Sequence, residues 1–98
     1  MNPMKAERLF YDKAVFPDGY VVEMVIWRVA SSVPPTTHGL KYRLVYGHNG
    51  ERVVGSDNER GKGDHRHHRS RESRYRFVSV EALIGDFLAD VERERSKT

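Results

Sequence analysis

Ser79-Val80-Glu81-Ala82-Leu83-Ile84-Gly85-Asp86-Phe87-Leu88-Ala89-Asp90-Val91 is the stretch on which the reading of the fold turns. Val80, Leu83, Ile84, Phe87, Leu88 and Val91 fall at i, i+3, i+4, i+7, i+8 and i+11, which is one apolar stripe of a helix. Ser79 can accept hydrogen bonds from the N–H groups of the next turn, and Glu81 suits the positive end of the helix dipole. Val78 is placed to staple onto Leu83. Burying those six side chains would contribute roughly 9–18 kcal/mol by transfer arguments, before chain entropy is counted. Such a stripe needs a sheet to lie on.

The residues before it read as that sheet. Tyr75-Arg76-Phe77-Val78 is expected as a short last strand. Leu40, Tyr42, Leu44 and Tyr46 alternate with Lys41, Arg43 and Val45, so one face of this strand packs and the other is basic. Gly47-His48-Asn49-Gly50 closes a hairpin, and Arg52-Val53-Val54 returns from it. Tyr20 to Val29 is rich in Val, Ile, Trp and Tyr on both faces and reads as a central strand, with Glu23 its one acid and Trp27 expected in the core. Ala6 to Phe16 is a first strand ended by the turn Pro17-Asp18-Gly19, after a short tail broken by Pro3. Ser31 to Gly39 is a loop, because Pro34-Pro35 cannot donate to a ladder. Arg93 to Thr98 is a charged, frayed end. The expectation is one α+β domain over residues 1–98: a small antiparallel sheet of about five strands packed by one C-terminal amphipathic helix.

Composition bounds what such a domain can be. With 98 residues, 38% of them apolar, the chain can bury one thin core. It contains no cysteine, which excludes disulfides and thiolate zinc sites. Its apolar runs are too short to span a bilayer and its first residues lack the apolar segment of a secretory signal, so a soluble, cytoplasmic protein with no membrane role is expected.

Chemistry concentrates between Gly55 and Arg76. Residues 57–74 read as a polar functional loop rich in Gly, Arg and His. From Asp57 to Arg76 seven basic residues face four acidic ones, a net charge of +3, equal to that of the whole chain with its 17 Lys and Arg against 14 Asp and Glu. Three of the five histidines, His65, His67 and His68, lie here. A neutral scaffold with one cationic segment suggests a polyanion such as RNA. Metal-free RNA cleavage needs a base for the 2′-hydroxyl, an acid for the leaving oxygen and cations for the phosphorane. Lys62, His65 and His67 are the catalytic candidates, with Asp57 assisting and Glu59 or Asp64 orienting His65; which histidine is base and which acid stays open. Arg60, Lys62, Arg66, Arg69, Arg71 and Arg74 are the candidates for holding phosphate.

Three other readings compete. His65-x-His67-His68 with Asp64 or Asp57 has metal-ligand chemistry, but the flanking cations would repel an ion, so no metal and no cofactor is expected. A non-catalytic module could bind nucleic acid or protein through the same surface, with Tyr75 or Phe77 as a stacking platform. The acids could also simply pair with local arginines. Gly61-Lys62-Gly63 lacks the spacing of a nucleotide-binding loop. His38 and His48 are assigned ordinary surface roles in turns.

Val21-Val22-Glu23-Met24-Val25-Ile26-Trp27-Arg28-Val29, Tyr42-Arg43-Leu44-Val45-Tyr46-Gly47 and, above all, Asp57-Asn58-Glu59-Arg60-Gly61-Lys62-Gly63-Asp64-His65-Arg66-His67 resemble the TumE family of small bacterial and archaeal proteins. The resemblance covers nearly the whole chain. It implies the toxin component of a type II toxin–antitoxin system, usually paired with a helix-turn-helix antitoxin. Arg66, His68 and Arg69-Ser70-Arg71 stand at the edge of the motif. The expected partners are therefore RNA and such an antitoxin, with a homodimer left open.

Overall fold

The helix forms where its apolar stripe places it. In the computed structural model, which describes residues 6–97, α1 spans Val80–Arg95. The Ser79 hydroxyl caps it by accepting from the Ala82 N–H at 3.0 Å. Leu83, Phe87 and Val91 are buried, whereas Leu88 is 41% exposed. Val78 is 70% exposed, so the expected staple onto Leu83 is absent. The stripe that packs is narrower than the stripe that is apolar.

Among the described residues six strands, not about five, make the sheet: β1 (Ala6–Val15), β2 (Val21–Val29), β3 (Leu40–His48), β4 (Glu51–Glu59), β5 (Gly63–His68) and β6 (Arg71–Arg74). They pair antiparallel in chain order, so every connection is local. Asn49 and Gly50 close the β3–β4 hairpin with φ of 53° and 77°, the left-handed pair that a two-residue hairpin turn requires. The N-terminal tail with Pro3, and Thr98 at the charged C-terminal end, lie outside the described residues.

Helix α1 covers one face of this sheet. Against it pack Val22, Met24 and Ile26 of β2, Leu40, Tyr42, Leu44 and Tyr46 of β3, and Val53 and Val54 near the start of β4. The Asn58 side chain, fully buried, accepts from the Tyr42 N–H at 3.0 Å and donates to the Leu40 carbonyl at 2.7 Å. It thereby satisfies backbone groups that would otherwise be orphaned at the end of the β3–β4 ladder. β1 reaches beyond the cover of the helix, and Leu9, Tyr11 and Val15 are exposed. Trp27 departs from expectation: it alternates with the buried Ile26 and so lies on the uncovered face, half-buried, instead of in the core.

The largest correction concerns residues 57–74. They are not a loop: they complete β4, make a three-residue turn and form β5 and β6. Tyr75-Arg76-Phe77-Val78, expected as the last strand, forms no strand, although the Tyr75 N–H still donates to the Asp64 carbonyl at 3.0 Å. The reason lies in the helix. Asp86, Asp90 and Glu94 stand at i, i+4 and i+8, a single acidic stripe beside the apolar one. Tyr75 donates to Asp86 at 2.7 Å, Arg66 to both Asp90 carboxylate oxygens at 2.7 and 2.6 Å, and Arg69 to Glu94 at 2.9 Å. His68 Nε2 lies 2.7 Å from Glu94. β5 is held to the helix by charge where β3 and β4 are held by hydrocarbon.

Those contacts tune the groups that make them. The hydrogen bond from Lys97, followed by that from His68, holds the Glu94 carboxyl down at about 2, below its ordinary 4.5. Burial, then donation to Asp86, pushes the Tyr75 hydroxyl up to about 12. Asp90 raises the affinity of Arg66 for its proton. In the same last turn of α1, the Arg95 guanidinium lies 3.7 Å over the Phe16 ring and donates to the Tyr46 hydroxyl at 2.9 Å, tying the helix to the β1–β2 turn.

Two outcomes follow for stability. Phe87→Ala removes a fully buried ring and should cost about 3–5 kcal/mol in urea unfolding. Because Glu94 has a depressed folded pKa, its contribution is complete above pH 4.5 and disappears as pH falls through about 2. The Tm advantage of wild type over Glu94→Gln should therefore shrink across that window, and a pH-independent difference would contradict the assignment.

Candidate functional site

Strand alternation sorts the candidate residues onto two faces. Asp57 pairs with His65 and Gly55 with His67 across β4–β5, while His65 pairs with Arg74 and His67 with Glu72 across β5–β6. Cross-strand partners share a face, so Gly55, Asp57, His65, His67, Glu72 and Arg74 all lie on the face that α1 leaves open. Asp64, Arg66 and His68 lie on the helix side. The hairpin thus separates residues that the sequence places side by side.

His67 is the better buried of the two open-face imidazoles, with its side chain 9% exposed. Arg52 lies 3.0 Å from its Nδ1 and Asp57 Oδ1 lies 3.1 Å from its Nε2. A guanidinium can only donate, so Nδ1 accepts and Nε2 carries the proton given to Asp57. Both ring nitrogens are engaged. Gly55 makes the arrangement sterically feasible, since a Cβ there would stand 2.8 Å from Arg52 Cδ, which lies across the strand to reach His67.

His65 differs. Its Nε2 donates to the Lys62 carbonyl at 2.8 Å, and its Nδ1 is buried without a hydrogen-bond partner among the described residues. The nearest anion is Glu72, whose Oε1 stands 3.6 Å from His65 Nδ1, 3.7 Å from Lys62 Nζ and 3.8 Å from His67 Nε2. Three nitrogens from β5 and its preceding turn converge on one carboxylate oxygen, all beyond good hydrogen-bond length. Glu72 itself is 37% exposed at its side chain. Lys62 reaches this point because Gly61 and Gly63 take φ of 85° and 81° on either side of it.

The remaining candidates do not join this cluster. Asp64, expected to orient His65, faces the helix side, where it accepts from the Tyr42 hydroxyl at 2.6 Å and from His38 Nε2 at 2.9 Å. Burial and that bond to Asp64 hold the Tyr42 hydroxyl protonated far above the ordinary phenol range. His38 is therefore no ordinary surface histidine: its Nδ1 accepts from the Leu40 N–H at 3.2 Å, and Phe77 packs on its ring at 4.2 Å. Phe77 packs on His38, and the Tyr75 hydroxyl donates to Asp86 of the helix. Arg66 and Arg69 are committed to helix carboxylates, while Arg60, Arg71 and Arg74 are exposed. Glu59 stands exposed at the open-face end of β4. Glu23, on β2, accepts from the Tyr11 hydroxyl at 2.8 Å; β3 and β4 lie between it and β5, and it does not meet His65 or Lys62. Among the described residues no group of three or more His, Asp or Glu side chains is arranged to hold a metal ion. No helix among them is long and apolar enough to cross a membrane.

Sequence reasoning missed Arg52 and Glu72. The available signal was spacing: a two-residue turn at Arg69-Ser70 sets Glu72 opposite His67. Arg69 adopts φ of 57° there without the glycine or asparagine that usually marks such a turn.

The geometry fixes a tautomer that NMR can read. Histidine side-chain ¹⁵N spectra should show His67 neutral with its proton on Nε2, and Arg52→Met or Gly55→Ala should turn that single form into a mixture. A wild-type ring protonated on Nδ1 would contradict the Arg52–His67–Asp57 chain.

Comparison with known families agrees with the resemblance carried by the Asp57–His67 motif. The family model described as Toxin TumE matches residues 4–95, nearly the whole chain. No curated protein and no solved structure matches. A toxin of a toxin–antitoxin pair is neutralised by its antitoxin, so an antitoxin is the general class of partner that membership implies. On that match, covering the sheet, the open-face cluster and the helix alike, the chain belongs to the TumE toxin family.

Proposed function

We propose that this protein is the toxin of a type II toxin–antitoxin system and that it cleaves RNA without a metal ion at the open sheet face. The observation that carries the reading is the convergence of Lys62 Nζ, His65 Nδ1 and His67 Nε2 on Glu72 Oε1. The Lys62 ammonium already stands beside an anionic oxygen there, a scissile phosphate carries the same charge and acceptor chemistry, and the His65 Nδ1 lone pair next to it can take a proton. When phosphate displaces Glu72, Lys62 pairs with a non-bridging oxygen and stabilises the developing phosphorane.

His65 is then the base. Its Nδ1 is the one ring nitrogen of the cluster with an uncommitted lone pair, and the bond from Nε2 to the Lys62 carbonyl fixes the ring with that lone pair facing Glu72. The 2′-hydroxyl loses its proton to Nδ1, O2′ bonds to phosphorus, and the P–O5′ bond breaks. The leaving O5′ takes a proton from the Lys62 ammonium, and the product end is a 2′,3′-cyclic phosphate. His67, held between Arg52 and Asp57, positions the Asp57 carboxylate and closes the floor of the site. Glu59 and Asp64 have no part in this step, and Arg74, paired across from His65, is placed to hold the next phosphate. A helix-turn-helix antitoxin, as the family resemblance implies, would neutralise the toxin by laying carboxylates over Lys62 and Arg74.

The test uses the chain purified free of partner and incubated with RNA in EDTA. Wild type should yield 2′,3′-cyclic ends, with His65→Ala slower by about 100-fold or more and Lys62→Ala also impaired. Glu72→Gln should bind RNA more tightly, since it removes the competing charge. Absence of product from wild type, or equal cleavage by His65→Ala, would overturn the reading.

A further inference from the structure

Beside the convergent cluster the open face carries a second feature that the cleavage chemistry does not use. A hollow of about 360 Å³ lies over β2, β3 and β4, lined by Val25 and Trp27, Lys41 and Arg43, and Asp57 and Glu59. Register explains its shape. Val25 pairs with Arg43 and Trp27 with Lys41 across β2–β3, and Arg43 pairs with Asp57 across β3–β4. One wall is an indole, half-buried on a face with no helix above it. The opposite wall is acidic.

We infer that this hollow is a guanine-binding subsite, which seats one base of a single-stranded RNA next to the cluster at His65. The inference rests on the RNA reading above and adds the identity of the base. Indole faces stack on nucleobases, and single-stranded RNA is recognised by splayed bases whose Watson–Crick edges meet side chains. Asp57 is already committed to His67, leaving Glu59 as the carboxylate without a side-chain partner among the described residues. An ionised carboxylate only accepts, and it has two oxygens. Guanine alone offers two adjacent donors, N1–H and the N2 amino group, on that edge. Adenine, cytosine and uracil each offer fewer donors there together with an acceptor that a carboxylate repels.

The cations complete the subsite. The Lys41 ammonium donates to the Asn58 carbonyl, which holds it over β4 between the hollow and the turn. Arg43 is exposed beside it and free to meet a phosphate. Strands lie roughly 4.8 Å apart, so β3 and β5 are separated by about 10 Å, a reach that one nucleotide covers between a seated base and a phosphate at His65.

Trp27 is the only tryptophan in the chain, so its fluorescence reports directly on this hollow. Guanosine 5′-monophosphate should quench it saturably and bind about five-fold or more tightly than the adenosine, cytidine and uridine monophosphates. Glu59→Gln should abolish that preference without unfolding the chain, because Glu59 is exposed. An RNA oligonucleotide with one guanine should bind more tightly than the free nucleotide, by adding contacts to Lys41 and Arg43. Calorimetry on Trp27→Ala, where fluorescence is lost, should show weakened binding of the same oligonucleotide. Equal quenching by all four nucleotides, no quenching, or binding of the free nucleotide but not the oligonucleotide would overturn the subsite. Its failure is distinguishable from that of the cleavage reading: cleavage with no base preference removes only the subsite, and guanine-selective binding with no product removes only the cleavage.

Discussion

The acidic stripe of α1 is the interaction on which the site depends. Asp86, Asp90 and Glu94 meet Tyr75, Arg66, and the pair His68 and Arg69, and together they decide which face of β5 turns toward the helix. Ion pairs at a protein surface contribute little stability one by one, commonly about 0–1 kcal/mol, although here the Asp90 and Glu94 carboxylates are largely covered. Their effect here is on register. A strand has a side-chain period of two, so slipping β5 by one residue would send His65 and His67 to the helix and Arg66 and His68 to the open face. No apolar side chain in Gly63–His68 could enforce that choice, and the charges do.

The same fact explains how much of this protein could be read from its residues. The helix, its Ser79 cap and the Asn49-Gly50 hairpin were legible because each has a local chemical cause. β5 and β6 were not legible, because strand reasoning looks for alternating hydrocarbon and these strands alternate one polar role with another. Trp27 was assigned to the core because β2 is apolar on both faces, and only a count of helices says that one face must stay uncovered. The role of Asp64 was misjudged for a simpler reason. Adjacent residues in a strand point to opposite faces, and treating Asp64-His65 as part of a loop hid that rule.

At the candidate site, the motif residues divide between the two faces of the sheet. Asn58 and Asp64 work on the covered side, one completing the β3–β4 ladder and the other joining Tyr42 to His38. Lys62 and His65 work on the open side, and Gly61 and Gly63 give the turn that brings Lys62 over β5. Much of the cationic charge that suggests a polyanion is in fact answered within the fold, since Arg66 and Arg69 are paired with helix acids. The charge left for a partner is smaller and better placed: Lys41, Arg43, Lys62 and Arg74 border one face. Glu72 stands among Lys62, His65 and His67 on that face, so part of its charge too is answered within the fold.

The account stands on the claim that the open face, not the cationic edge against the helix, meets RNA. Histidine side-chain NMR decides it, by following His65, His67 and His68 in one sample as an RNA with a 2′-deoxy substitution at the scissile position is added. The account predicts that His65 Nδ1 shifts most, as Glu72 gives way to phosphate, while His68 keeps its resonance against Glu94. Movement of His68 with His65 unchanged would contradict it.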